Sequence, residues 1–125
     1  AKFATVLPEG WEIAADDLES MGMMTITRKN SGDKGVYLKF EGNGAWDGDP
    51  MQEMTTFAEK QGGTPAESVT INGIDWATTS YTAYGTAQIM MVTKHNGTKV
   101  TATILGEGYG QEPGVTAILD AMQLK

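Results

Sequence analysis

The stretch that decides the fold covers residues 68–105 and reads SVTINGIDWATTSYTAYGTAQIMMVTKHNGTKVTATIL. It contains Asn-Gly twice, at Asn72–Gly73 and Asn96–Gly97, and each pair lies between runs rich in β-branched and aromatic residues. Asn-Gly is favoured in two-residue hairpin turns, where both central residues adopt positive φ angles. The stretch therefore predicts two antiparallel hairpins, with strands over 68–71, 74–78, 86–94 and 98–105.

A third hairpin is predicted upstream, from residues 23–29 and 36–41, which flank a segment rich in Gly, Asn and Asp. In its second strand, apolar and polar side chains alternate. Alternation of this kind places one set on a buried face and the other on a solvent face. We therefore expect Val36, Leu38 and Phe40 to point inward, and Tyr37, Lys39 and Glu41 to point outward.

Two helices are predicted. Asp49 is a suitable N-cap and Pro50 suits the first helical position, so a helix should begin there and end at Gly62. A short closing helix is indicated by apolar residues at helical spacing near the end of the chain: Val115, Ile118, Leu119 and Met122. The order of elements predicts an α+β fold with an antiparallel sheet of about six strands flanked by two helices, in one domain over residues 1–125.

We expect one core to join this sheet to the first helix. Its members are the inward-facing strand residues and two helix residues: Val36, Leu38, Phe40, Ile89, Met91, Val100, Ala102, Ile104, Met54 and Phe57. This register has the Met90 and Val92 side chains pointing away from the core, because successive strand residues face opposite sides.

Three short phrases carry a resemblance to a known family: residues 7–11 (LPEGW), 69–73 (VTING) and 118–122 (ILDAM). Together with the order of elements, they resemble the PsbP-like superfamily, which includes a photosystem II extrinsic protein, a nuclear-import Ran-binding factor and many bacterial lipoprotein-like domains. The resemblance implies a single PsbP-like domain over 1–125, an α/β/α sandwich, and a bacterial extracytoplasmic or cell-surface location with a lipid anchor upstream as an option. No charged cluster supports carrying over Ran binding.

Composition excludes several kinds of function. The 125 residues include no cysteine, which rules out disulfides, thiolate metal sites and cysteine nucleophiles. Nine basic and sixteen acidic residues give a net charge of −7, and no cluster of Lys and Arg is present, so nucleic acid is not expected as a partner. Residues 76–93 are uncharged but too polar for a membrane span. No cofactor is expected.

Metal binding has one weak candidate. Oxygen ligands cluster at Glu41, Asn43, Asp47 and Asp49, and calcium takes ligands of this type. The spacing fails the EF-hand pattern, however, so we expect a solvated turn and no metal site.

Catalytic groups are also scarce. His95 is the single histidine, and it precedes a predicted turn. No serine lies in a Gly-x-Ser-x-Gly elbow. We therefore expect no catalytic residues and no enzyme activity. The alternative is a small carboxylate-dependent enzyme that uses Glu107 and Glu112.

Four aromatic residues are the candidate ligand or partner surface: Trp76, Tyr81, Tyr84 and Tyr109. Binding surfaces are often rich in such rings and poor in charge. Residues 76–93 carry no charged side chain, and we expect them to form the most accessible surface together with the loop 106–114. The competing interpretation buries Trp76 and Tyr84 beneath a helix.

We expect a non-enzymatic extracytoplasmic binding or accessory domain whose partner is a protein or glycan at the cell surface. We also expect a monomer or weak dimer. A cytoplasmic protein-binding role is the other alternative.

Overall fold

The computed structural model describes residues 3–17, 22–29 and 37–125. These residues form nine strands and two helices, which confirms the α+β class. In chain order the elements are β1 (Phe3–Ala4), β2 (Trp11–Asp17), β3 (Met23–Arg28), β4 (Tyr37–Ala45), α1 (Pro50–Gln61), β5 (Glu67–Ile71), β6 (Ile74–Ala83), β7 (Thr86–His95), β8 (Thr98–Leu105), α2 (Pro113–Ala121) and β9 (Gln123–Leu124).

Seven strands form the main sheet in the order β2-β3-β4-β8-β7-β6-β5, with every neighbouring pair antiparallel. The two short strands β1 and β9 form a second, two-stranded sheet. The structure thus has more strands than the six predicted. One reason is the edge strand β2, whose sequence WEIAADD carries three acidic residues and lacks the composition typical of a strand.

Three two-residue turns connect strands β5 to β8. Asn72–Gly73 and Asn96–Gly97 have φ angles of 52° and 78°, and of 49° and 78°, which confirms both predicted hairpin turns. The third turn, Tyr84–Gly85, has φ angles of 53° and 75° and joins β6 to β7. The sequence predicts no turn at this point, because tyrosine is not a residue expected at positive φ.

The two helices pack on opposite faces of the sheet. The larger core contains α2 and the aromatic residues Trp11, Phe40 and Trp76, together with Leu38, Met91, Val100, Ala102 and Ile104. On the other face, Met54 of α1 packs with Ala77 and Val92, and the half-buried Trp46, Phe57, Ala66 and Met90 complete this smaller cluster. The layers therefore run α/β/α.

The prediction of a single core was correct for one face and wrong for the other. Leu38, Phe40, Met91, Val100, Ala102 and Ile104 share the larger core, with Ile89 partly buried against it. Met54 and Phe57 belong to the opposite face, because α1 covers the side chains of Met90 and Val92 that the prediction had turned outward. Val36 lies outside the described residues.

The ends of α1 follow the predicted signals. The Asp49 carboxylate accepts a hydrogen bond from the Gln52 backbone N–H at 2.9 Å, and Pro50 occupies the first turn. Gly62 ends the helix with a φ of 66°. Within the described part of the chain, no helix is both long and apolar enough to cross a membrane.

Candidate functional site

The β6–β7 hairpin extends beyond β5, so the last residues of β6 pair with β7 on one side and have no strand partner on the other. β5 pairs with β6 only as far as Glu67 opposite Thr78, whereas β6 continues to Ala83. Thr64, in the segment before β5, occupies the next position: its N–H donates to the Ser80 carbonyl at 2.9 Å, and its hydroxyl accepts from the Ser80 N–H at 3.0 Å. The Thr79 hydroxyl donates to the Thr64 carbonyl at 2.6 Å. These bonds fix the segment against the hairpin.

A groove of ≈ 540 Å³ opens at this place, and we refer to it as the hairpin groove. Its walls come from three parts of the chain: residues 61–64, residues 80–82 with 87–89, and Gly106 with Gln111. No Asp, Glu, Lys, Arg or His lines it, although one residue in five of the whole chain is charged. The side chains that do line it carry hydroxyl and amide groups on an otherwise apolar surface, which suits an uncharged polar ligand.

Tyr81 is a polar lining residue of the hairpin groove whose side chain is held in place. Its hydroxyl donates to Gln88 Oε1 at 2.9 Å, and its ring packs edge-on against Phe57 of α1 with 5.0 Å between ring centroids. Partial burial raises the pKa of Tyr81 above its ordinary value of 10.0, because removing solvent disfavours the phenolate. Tyr81 is therefore a neutral hydrogen-bonding group held in one orientation.

The third wall is a loop attached at both ends. The Gly106 N–H donates to the Ala87 carbonyl at 3.0 Å, and Gly108 lies directly against the end of the Ile89 side chain. At the other end, Glu112 caps α2 by accepting from the Gly114 N–H at 3.1 Å, and it forms an ion pair with Arg28. The loop that carries Gln111 is thus bonded to the sheet and to a helix, which makes the wall well defined.

The structure separates the four predicted aromatic residues. Trp76 is 1% exposed in the larger core, so its assignment to an accessible surface was wrong: its strand face is the one that α2 covers. Tyr81 lines the hairpin groove, and Tyr84 is fully exposed (103%) in the turn two residues after Thr82. Tyr109 is 39% exposed, but its hydroxyl donates to Asp120 of α2, and it does not line the groove.

The weak calcium candidates have other roles in the fold. Glu41 lies in β4, not in a loop, and its carboxylate forms an ion pair with Lys39 at 2.8 Å. Asp49 is the cap of α1, and Asp47 is exposed. The side chain of Asn43 lies outside the described part of the structure. Among the described residues, no three His, Asp or Glu side chains are grouped as metal ligands would be.

The groups considered for catalysis have different surroundings. His95 precedes the turn at the opposite end of β7, where its Nε2 is 3.2 Å from Asn96 Nδ2. Glu112 is buried in its ion pair, whereas Glu107 is exposed. A second groove, of ≈ 650 Å³, lies at this opposite end, but Asp75, Lys94 and Lys125 are among its walls, and so it lacks the uncharged character of the hairpin groove.

Comparison with known proteins indicates the fold. No family model matches the sequence, and no curated protein matches it. A crystal structure of a protein from Bacteroides thetaiotaomicron VPI-5482 is similar over 98% of this chain, with a TM-score of 0.61 and 12% identity. The chain spans 45% of that protein. LpqN, which is involved in cell envelope biogenesis of Mycobacterium tuberculosis, is similar over 96% of this chain and 81% of its own length, with a TM-score of 0.56 and 13% identity. Identity this low shows a shared fold alone, and membership of the PsbP-like superfamily stays a prediction.

Proposed function

We propose that the chain is a non-enzymatic binding or accessory domain that acts outside the cytoplasm, and that the hairpin groove is its binding site. The observation that carries the proposal is the groove itself: an uncharged concave surface whose walls are fixed by backbone hydrogen bonds. Sites for small or extended ligands are commonly preformed in this way, with a few polar groups that set orientation. The fold shared with LpqN supports the location, since LpqN is involved in cell envelope biogenesis.

The three described groups whose pKa is shifted offer no general base or nucleophile. A general base or nucleophile needs a pKa tuned towards neutrality. Hydrogen bonding to Glu41 raises the pKa of Lys39, burial raises that of Tyr81, and the bond to Asp120 raises that of Tyr109. All three shifts move away from neutral pH. Glu112, one of the two carboxylates considered for an enzyme, is already bonded to Arg28 and to the α2 backbone.

The test uses the full-length gene product in its own host, with a photo-cross-linking amino acid at Thr82 in the hairpin groove. The matched control places the same group at Thr98, at the other end of the sheet. We expect the protein in the envelope fraction, and a discrete cross-linked species from Thr82 but not from Thr98. Recovery in the cytoplasm contradicts the location. Equal cross-linking from both positions contradicts the assignment of the groove.

A further inference from the structure

Tyr84 occupies a position that costs the fold free energy. Its φ of 53° lies in the left-handed region, where a bulky residue other than glycine is strained. The equivalent positions of the other two hairpin turns hold Asn72 and Asn96, and asparagine tolerates this conformation. At the first position of its turn, the chain therefore has a tyrosine where the other two turns have an asparagine that suits the conformation.

The Tyr84 ring gives no packing energy in return. Its side chain is fully exposed at 103%, and neither a hydrogen bond nor a ring contact joins it to another described residue. Strained residues cluster at ligand sites, where the strain serves to present a side chain. A fully exposed aromatic ring held at the tip of a hairpin has the form of a stacking platform.

The nearby groove adds free hydrogen-bonding groups. Ser80, Thr82 and Gln61 line it, and none of their side chains bonds to another described residue. Gln111 uses one amide atom, which accepts from the Gly108 N–H at a long 3.5 Å. Thr82 is two residues before Tyr84 in the chain, so their Cα atoms are at most about 7 Å apart. The ring and these polar groups can therefore contact neighbouring units of one extended ligand.

From this arrangement we propose that the Tyr84 tip and the hairpin groove bind a neutral oligosaccharide, with one sugar ring stacked on Tyr84 and the next units hydrogen-bonded to Ser80, Thr82 and Gln111. This rests on the proposed function and names its ligand class. The apolar face of a sugar ring packs on an aromatic ring, and its hydroxyls match side chains that both donate and accept. A charged sugar finds no ion-pair partner in the groove, and an anionic one is also repelled by a chain of net charge −7.

The test is NMR titration of the purified chain with neutral tetrasaccharides: cellotetraose, maltotetraose and chitotetraose. Tetragalacturonate is the charged comparison. At about 10 mM sugar, even a Kd of about 1 mM gives near-saturation. We expect at least one neutral sugar to shift amides of residues 61–64, 80–89 and 106–111, and tetragalacturonate to shift none. Tyr84→Asn should raise the Kd about tenfold or more. Asn96→Tyr, which adds an exposed tyrosine to the turn at the far end, should leave the Kd unchanged.

Three results overturn the proposal: no shift with any neutral sugar, tighter binding of tetragalacturonate, or an unchanged Kd in Tyr84→Asn. A single cross-linked protein species from Thr82, together with no sugar binding, shows that the groove binds a protein. In that case the proposed function stands and the carbohydrate assignment is wrong. No cross-linked species from Thr82 together with no sugar binding contradicts both.

Discussion

Replacing Gly63 by alanine should distort the wall of the hairpin groove. A Cβ atom at Gly63 would lie 2.8 Å from Thr79 Oγ1 and 2.9 Å from the Ser80 carbonyl oxygen. Both are closer than ordinary contact, and the second is backbone that cannot rotate away. The segment would therefore shift, and the 2.9 Å bond from the Thr64 N–H to the Ser80 carbonyl would lengthen.

The magnitude follows from three terms. Overpacking costs about 1–3 kcal/mol, and a weakened hydrogen bond costs about 1 kcal/mol. Alanine has less conformational freedom than glycine in the unfolded chain, and this stabilises the folded state by about 0.4–1 kcal/mol. Gly63→Ala should thus lower the free energy of unfolding by about 1–3.6 kcal/mol.

Gly108→Ala is the matched control in the opposite wall. Its added Cβ would lie 2.3 Å from Ile89 Cδ1 and 3.8 Å from Ile89 Cγ1, and the end of that one side chain can move by rotation. That rotation costs about 0.5–1.5 kcal/mol and is offset by the same backbone term, so we expect a change of at most about 1 kcal/mol. Urea denaturation of the wild type and the two variants measures both changes. An unchanged slope of the unfolding free energy against urea concentration shows that neither variant alters the compactness of the folded or unfolded state. Equal losses in the two variants, or a more stable Gly63→Ala protein, would refute the close backbone contact.

Two further predictions concern the ion pair at α2 and the response to high pH. Glu112→Ala removes both the helix cap and the partner of Arg28 and should cost about 2 kcal/mol in urea denaturation, whereas Glu112→Gln keeps the cap and should cost about half as much; equal losses would mean that the cap contributes nothing. The pKa values of Lys39, Tyr81 and Tyr109 are raised in the folded state, so their stabilising effect is complete below pH 10.0 and is lost as the pH rises through each folded-state pKa. The free energy of unfolding should therefore fall as the pH rises above 10.0. In Tyr81→Phe this fall should be less steep, because phenylalanine does not titrate. A free energy of unfolding that rises with pH in this range would contradict the direction of the shifts.

Local signals explain which parts of the fold could be predicted from sequence. The two Asn-Gly turns and the ends of α1 depend on residues with special backbone preferences, and the structure places them where expected. The division into two cores was not visible, because β7 carries four apolar residues in a row at 89–92 and both faces of the sheet are covered. A continuous apolar run hides the alternation that would assign each residue to a face.

The candidate site was harder to predict. The sequence indicated the uncharged segment 76–93 and the loop 106–114, and both contribute to the hairpin groove. Residues 61–64 were missed, because their contact with β6 depends on β5 ending early, which is a tertiary feature. The turn at Tyr84–Gly85 was missed because tyrosine at positive φ breaks the usual preference. The glycine that follows was the available signal, since Gly73 and Gly97 hold the same place in the other turns.

The central claim is that the β6–β7 tip is built for binding at a cost to stability. The free energy of unfolding of Tyr84→Asn tests this most directly, because it needs no ligand. Asparagine relieves the strain at a φ of 53° and removes no packing, so the account predicts a protein more stable by about 1 kcal/mol, with a Tm about 4 °C higher. A Tyr84→Asn protein that is less stable than the wild type would show that the tyrosine supports the fold, and would contradict the claim.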